Sequence, residues 1–333
     1  EPINLNALLE EYPLNDYSSE KDWLFKVTPV LGKKIMTNIN DSTVVTSTAL
    51  FSLAILNSDG FSISKQELVS RIELLKSLLE EDKYSANTLI CEKTGEEIID
   101  QMRKLGFLSK EDINDRISLT NLEAAKLSFY RNNISHLLIF ESLICGFFQY
   151  QKEIIKEDLL QSIKMIYPFL KEEFFLKWDE DDLDQLINLK LNKLINKKLI
   201  LEDANVLKRP DFKSKEFYET QSLGKLVQPS IDRFYVLISQ LWKNSEEHIS
   251  KNELERNSLE ILKNLEKTQA RLTPEFSEKW MFDVFLSRLI ESKYVREDDK
   301  GMLYPTRITQ RLEKDAIKFL EPNWLKELSK STT

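Results

Sequence analysis

Glycine is scarce in this chain, with only seven in 333 residues. Phosphate-binding loops, dinucleotide-binding fingerprints and nucleophile elbows need closely spaced glycines, because a Cβ would block the backbone conformation or the approach of the ligand. No such motif can be assembled from these seven. The sequence therefore excludes the common nucleotide-binding and hydrolase loops.

Histidine and cysteine are scarcer still, with two of each. His136, His248, Cys91 and Cys145 have none of the usual zinc-ligand spacings, so we predict no metal site, and we also predict no cofactor. So few thiols in a chain of 39.1 kDa are typical of a reducing compartment.

Long apolar runs and a basic surplus are also missing. No apolar segment reaches the roughly 18–20 residues that cross a bilayer, so we predict no transmembrane helix. The net charge is −8, which argues against nucleic acid as a partner, because binding to phosphates needs a concentrated basic face. With 41% hydrophobic residues, the chain is expected to form two or three globular units.

A polar stretch lies inside the most apolar predicted helix, which covers about residues 122–150. The spacing of the apolar side chains places Asn133 and His136 in the buried stripe of this helix. An unpaired buried polar group costs about 1–3 kcal/mol, so both should have specific hydrogen-bond partners. The candidate structural or interface residues of the stretch are Tyr130, Arg131, Asn132, Asn133 and His136.

Three interpretations of this stretch remain open from the residues alone. It can be a structural network that ties the helix to its neighbours. Arg131, helped by the two asparagines, can instead contact a phosphorylated ligand, since a planar guanidinium suits phosphate. His136 can act in catalysis, although spacing assigns it no nucleophile or carboxylate partner, and we predict no catalytic residue.

A sequence repeat of about 93 residues organises most of the chain. Residues 63–68 (ISKQEL) return at 249–254 (ISKNEL), with a weaker copy at 154–159 (IIKEDL). The two outer copies contain a Ser-x-x-Glu capping box, which starts a helix. At the far end of each unit, two short apolar strands flank a polar turn, near residues 106–119, 198–207 and 294–304.

The repeat predicts a mainly α fold of tandem helical modules with short β-hairpins, in the order of a winged helix. We predict a linker over residues 1–20 and a first module over 21–121. The central helix and second module follow over 122–210, and a third module with a C-terminal helix covers 211–333. Carboxylates on the third helix of each module would repel DNA, so we interpret the modules as scaffold and protein-binding surface.

Several other segments carry expectations about the core and the surface. The aromatic segment 167–178 is interpreted as core, with a membrane anchor as the alternative. Lys33 and Lys34 are interpreted as a solvated face, with a membrane-surface role as the alternative. Trp280, Phe282 and Phe285 are predicted to be core, and the last helix is predicted to end near Phe319, before a polar tail.

The order of four stretches resembles the C-terminal half of the bacterial and mitochondrial membrane-associated glycerol-3-phosphate 1-O-acyltransferases. The polar stretch at 130–136 is similar to the family's Tyr-Arg-Asn-Asn-x-x-His. Residues 31–46 are similar to the segment that opens this half, and residues 167–175 to its Tyr-Pro-Phe-Leu-Lys element. Residues 1–3 are similar to the Gly-Glu-Pro-Ile that closes the family's catalytic domain, which implies a longer polypeptide.

The resemblance implies an acyl transfer from acyl-CoA or acyl carrier protein to the 1-hydroxyl of glycerol 3-phosphate, in phospholipid synthesis. The family's catalytic His-x-x-x-x-Asp is absent, because Glu141 and Glu253 stand where His136 and His248 would need an Asp. The segment should therefore be inactive alone and should support an upstream acyltransferase domain, its implied partner. The resemblance also implies peripheral placement on the cytoplasmic side of a membrane.

The sequence also leaves open an interpretation in which the protein is not an enzyme. Tandem winged-helix modules also suit a non-enzymatic assembly or regulatory protein. The reading frame upstream distinguishes the two, since only the enzyme needs His-x-x-x-x-Asp there.

Overall fold

The structure, a computed structural model, describes residues 3–108, 115–246, 248–268 and 279–331. The fold is mainly α, as predicted, with short strands. Two helices and a strand precede the repeats: α1 (Leu5–Glu11), α2 (Glu20–Asp41) and β1 (Val44–Val45). Helix α2 is capped by Ser19, whose side chain accepts a hydrogen bond from the Asp22 amide at 3.1 Å, and it continues through Pro29.

Three units with a common order of elements follow. The first contains α3 (Ser47–Leu56), β2 (Ser62–Ser64), α4 (Lys65–Glu81), β3 (Leu89–Ile90), α5 (Gly95–Lys104), β4 (Arg116–Ser118) and α6 (Asn121–Ser135). The second contains α7 (Ile139–Tyr150), β5 (Glu153–Ile155), α8 (Lys156–Phe174), α9 (Leu183–Asn196), β6 (Leu201–Asp203), β7 (Val206–Lys208) and α10 (Lys215–Gly224). The third contains α11 (Gln228–Lys243), β8 (Ile249–Ser250), α12 (Lys251–Thr268), α13 (Lys279–Glu291), β9 (Val295–Glu297), β10 (Met302–Pro305) and α14 (Arg307–Ile317). A last helix, α15 (Pro322–Ser331), comes after the third unit.

Strand pairing follows one rule in the three units. The strand before the second helix pairs antiparallel with the last strand, giving the sheets β2-β4, β5-β7-β6 and β8-β10-β9. In addition, β1 pairs with β3 in parallel. The last helix of each unit packs back on its first helix, as α6 on α3, α10 on α7 and α14 on α11. The bounds predicted for the modules, and the comparison of the modules with winged helices, stay predictions.

Local capping explains why the helices begin where the sequence places them. Thr46 accepts a hydrogen bond from the Ala49 amide at 3.2 Å and starts α3, as expected from its position. Ser64 and Ser250 accept hydrogen bonds from the amides three residues later, at 3.2 and 3.3 Å, and start α4 and α12. The repeat is therefore visible in the sequence because the signals that start its helices are local.

Several expectations differ from the structure. No strand forms over residues 106–108 or 198–200, where the chain ends a helix and turns, and β6 begins only at Leu201. The tail that begins at Pro322 is helical and buries Trp324 and Leu328.

Phe282 and Phe285 are buried, as predicted. The predicted turn at residues 109–114 and the predicted core side chain of Trp280 lie outside the described residues, as do residues 1 and 2.

The core is continuous from the first unit to α15. Helices α7 and α10 pack closely at two glycines, since a Cβ on Gly224 would lie 2.8 Å from the Cα and N of Gly146. Side-chain amides reinforce the crossing: Gln149 donates to the Gln221 carbonyl and Gln221 donates to the Phe148 carbonyl, each at 3.1 Å. This crossing joins the first and last helices of the second unit.

The aromatic segment 167–178 lies partly in the core, with Tyr167, Phe169 and Leu170 buried, as predicted.

Candidate functional site around His136

The polar stretch predicted in the central helix is divided by a change of helix type. Helix α6 ends at Ser135, a 3-10 turn covers His136–Leu138, and α7 begins at Ile139. A 3-10 turn has fewer residues per turn than an α-helix, so the buried stripe of α7 does not continue in phase into α6. His136 is buried, as predicted. Asn133 is exposed, so its prediction as a buried member of the stripe is wrong.

The other residues of the stretch have contacts of their own. Arg131 donates from Nε and Nη2 to the Oδ1 atom of Asn132, at 3.1 and 2.9 Å. Asn132 is exposed. The Tyr130 ring packs edge to face on Phe107, with centroids 6.0 Å apart. These contacts differ from those of His136, and a phosphate contact of Arg131 stays a prediction.

His136 is held by polar atoms at the end of α2. Its Nε2 atom lies 3.2 Å from Thr43 Oγ1 and 3.4 Å from the Asn40 carbonyl oxygen. The tautomer with a proton on Nε2 can donate to both. The ring also packs edge to face on Tyr84, at a centroid distance of 5.1 Å. The imidazole therefore joins the 3-10 turn to α2 and to the segment that follows α4.

A third segment, the one that follows α8, meets the same place. The side-chain amide of Asn40 donates to the Phe174 carbonyl at 2.7 Å. Lys177 donates to Asp41 Oδ1 at 2.9 Å and to the Tyr84 carbonyl at 2.6 Å. We call this cluster the His136 node and define it as Asn40, Asp41, Thr43, Tyr84, His136 and Lys177.

The chemistry of the node is that of a joint between segments. His136 is only 4% exposed, and burial lowers its pKa to about 4, so the ring is neutral near pH 7. A general base must reach the proton that it removes, either directly or through one water. A neutral ring enclosed by protein and occupied by a hydroxyl and a carbonyl is suited to positioning its neighbours and not to proton transfer.

The lowered pKa of His136 predicts that stability depends on pH. The pKa is about 4 in the folded chain and about 6.5 when unfolded, so the unfolded state binds more protons as the pH falls. The contribution of His136 to the stability of the folded chain is fully present above pH 6.5, and it is lost as the pH falls towards 4. Between pH 7 and pH 5 we expect a loss of about 2 kcal/mol from this residue. Urea unfolding at a series of pH values measures it.

The control for this prediction is the variant His136→Gln, which lacks the titrating group. Its stability should fall less between pH 7 and pH 5, by the same amount of about 2 kcal/mol. The exposed neighbour serves as a second control, since Asn133→Ala should keep the full pH dependence. An unchanged slope in His136→Gln would contradict the assignment.

A second cluster of ionisable groups was not anticipated from the sequence. Glu141, 1% exposed on α7, has its Oε1 atom 3.2 Å from Lys190 Nζ and 2.8 Å from Lys193 Nζ, both on α9. Lys190 also pairs with Asp82 at 2.6 Å. Burial would lower the pKa of Lys190, but the two carboxylates raise it above its ordinary value. The signal in the sequence was a lone carboxylate within the apolar run of α7.

Metal binding and membrane crossing find no support in the described part of the chain. No group of three or more His, Cys, Asp or Glu side chains in it could hold a metal ion. None of its helices is both long and apolar enough to cross a membrane.

The described chain is thus a mainly helical region with three repeated units and an enclosed His136 node. Residues 1–298 match the family model described as glycerol-3-phosphate acyltransferase C-terminal region. Because the match covers most of the chain, the protein belongs to this family, as the resemblance in its motifs predicted.

Curated relatives agree with the family. A glycerol-3-phosphate acyltransferase of Pseudomonas fluorescens is 27% identical over 332 residues, covering 97% of this chain and 39% of the relative. One of Xanthomonas campestris is 29% identical over 316 residues, covering 91% of this chain and 36% of the relative. The chain thus spans about two fifths of the length of these relatives.

Proposed function

We propose that this chain is the supporting C-terminal region of a glycerol-3-phosphate acyltransferase. The reaction is transfer of a fatty acyl group from acyl-CoA or acyl carrier protein to the 1-hydroxyl of glycerol 3-phosphate. In this proposal a preceding acyltransferase portion carries the His that removes the proton from the hydroxyl and the basic groups that bind the phosphate. The observation that carries it is the family match over residues 1–298.

The burial and hydrogen bonding of the His136 node favour a structural role of this region over a catalytic one. His136 is buried and neutral. Its Nε2 atom lies against Thr43 and Asn40. Asn40 and Lys177 in turn hold the segment after α8 against α2. A region stiffened in this way can present a fixed surface to the acyltransferase portion.

The test is acyl transfer that depends on glycerol 3-phosphate, measured with the natural full-length protein and with this chain alone. We expect activity only in the full-length protein. Full-length His136→Gln should keep kcat and KM wherever it remains folded, and lose stability. Activity of the chain alone would overturn the proposal, as would loss of kcat in His136→Gln at an unchanged Tm. Positional analysis of the product and a comparison of the two donors test the finer claims.

The proposal includes peripheral attachment to the cytoplasmic side of a membrane, because acyl glycerol phosphates are membrane lipids. Within the aromatic segment 167–178, Tyr167, Phe169 and Leu170 are buried and do not supply that contact. Flotation of the full-length protein with vesicles of phosphatidylethanolamine and phosphatidylglycerol tests the attachment. Absence from the floating fraction would remove this part of the proposal.

A further inference from the structure

Helix α2 has an apolar face that the described part of the chain leaves exposed. Its members are spaced for one side of a helix, and α2 leads into β1, where exposed Val44 lies opposite exposed Leu89 of β3. We call this surface the α2 face and define it as Leu24, Phe25, Ile35, Met36, Ile39, Val44 and Leu89. Its most exposed members on the helix are Phe25, at 80%, and Ile39, at 56%.

More side chains of α2 belong to the exposed α2 face than are buried in the core. The helix has 22 residues, and only Val27 and Asn40 are buried. A helix in a globular protein takes most of its stability from the tertiary packing of its apolar face. Here five apolar side chains of α2 are exposed, which is typical of a surface that another protein element covers. Gly32 lies on the same side, with open space where a Cβ would stand, so a partner backbone can approach closely.

Charges around the face distinguish between occupants. Lys26, Lys33 and Lys34 of α2 are each paired with a carboxylate, at 3.6, 2.7 and 2.6 Å. Attachment to an anionic membrane draws on basic residues that are available to lipid phosphates. Because a carboxylate stands beside each of these three ammonium groups, they add little net positive charge around the face, which suits an apolar protein partner better than an anionic lipid surface.

We propose that the α2 face is the docking surface for the acyltransferase portion of the same polypeptide. This inference rests on the proposed function. The matched family is the C-terminal region of its proteins, so about three fifths of a relative lies outside the matched part. Helix α2 is the first long helix that the structure describes. An apolar face beside the connection can be covered with little loss of chain entropy.

Crosslinking in the full-length protein tests the occupant directly. The photoreactive residue p-benzoylphenylalanine is placed at Phe25 or at Ile39, and crosslinked peptides are identified by mass spectrometry. The matched control carries the same residue at Phe212, which is 67% exposed and lies outside the α2 face. We expect both test positions, and not the control, to crosslink within one polypeptide to the acyltransferase portion.

A substitution then tests whether the face itself is responsible. Ile35→Asp should abolish the crosslink from position 25, because an ionised carboxylate cannot be buried against apolar side chains without a partner. Leu122→Asp, which changes an equally apolar exposed residue on α6, should leave it intact. Far-UV circular dichroism confirms that both variants remain helical.

Other outcomes identify other occupants and would overturn the proposal. A crosslink of doubled mass would show a second copy of the protein, and a crosslink to phosphatidylglycerol in vesicles would show a membrane. No crosslink above the control would show an uncovered face. Acyl transfer is assayed on the same samples. Activity without the expected crosslink would contradict the docking alone, and the expected crosslink without glycerol-3-phosphate acylation would contradict the proposed function alone.

Discussion

Replacing Glu141 by Gln should destabilise the chain by about 3–5 kcal/mol, because it removes the counter-charge of two buried ammonium groups. Glu141 lies within ion-pair distance of Lys190 and Lys193. Lys190 would keep Asp82, and Lys193 would keep its hydrogen bond to the Leu78 carbonyl at 2.8 Å. Neither contact replaces a fully buried carboxylate. Urea unfolding at neutral pH measures the loss.

The matched control for Glu141 is an ion pair at the surface. Lys164 pairs with the exposed Asp184 at 2.5 Å, and Asp184→Asn should cost at most about 1 kcal/mol because solvent screens the pair. A double-mutant cycle adds a second test. Lys193→Met should be less costly in the Glu141→Gln background than in the parent chain, since its partner is already absent. Additive costs would contradict the coupling between these residues.

The pairing of Glu141 with α9 also shows where sequence reasoning ends. Hydrophobic periodicity identifies α7 and α9 separately, but it contains no information on which lysines of α9 face which residue of α7. Helix phase was a second difficulty, because no Pro or Gly marks the 3-10 turn at His136–Leu138. Extending the helical phase of α7 into α6 therefore places the exposed Asn133 in the core.

Local signals were more informative than long-range ones. The Ser-x-x-Glu boxes located α4 and α12, since a cap depends only on residues three positions apart. The polar composition after Phe319 predicts a tail that includes Pro322, yet Pro322 is the first residue of α15. Proline is favoured in the first turn of a helix, and Trp324 and Leu328 supply the apolar side of α15. These local signals predict the helix.

Replacing Gly224 by Ala should destabilise the chain by about 3 kcal/mol, at the upper end of the usual cost of overpacking. The new Cβ would lie 2.8 Å from the Cα and N of Gly146. Those are backbone atoms, so no change of rotamer can relieve the contact and α7 must move away from α10. Helix propensity alone would favour Ala over Gly by about 1 kcal/mol. A loss of stability in Gly224→Ala would therefore come from the close contact between α7 and α10. Thermal unfolding, with Tm as the measure, is sufficient.

Two glycines of the same chain provide the controls. Gly146→Ala changes the other side of the crossing, but its Cβ would have ordinary contacts, the nearest being the Gly224 carbonyl oxygen at 3.5 Å. Gly32→Ala adds a methyl group to α2 where nothing lies within 4 Å. Both variants should equal the parent or gain up to about 1 kcal/mol. If Gly224→Ala also gained stability, α7 and α10 could not cross as closely as the structure shows. The hydrogen bonds from Gln149 to the Gln221 carbonyl and from Gln221 to the Phe148 carbonyl would then need a different geometry, since they depend on that distance.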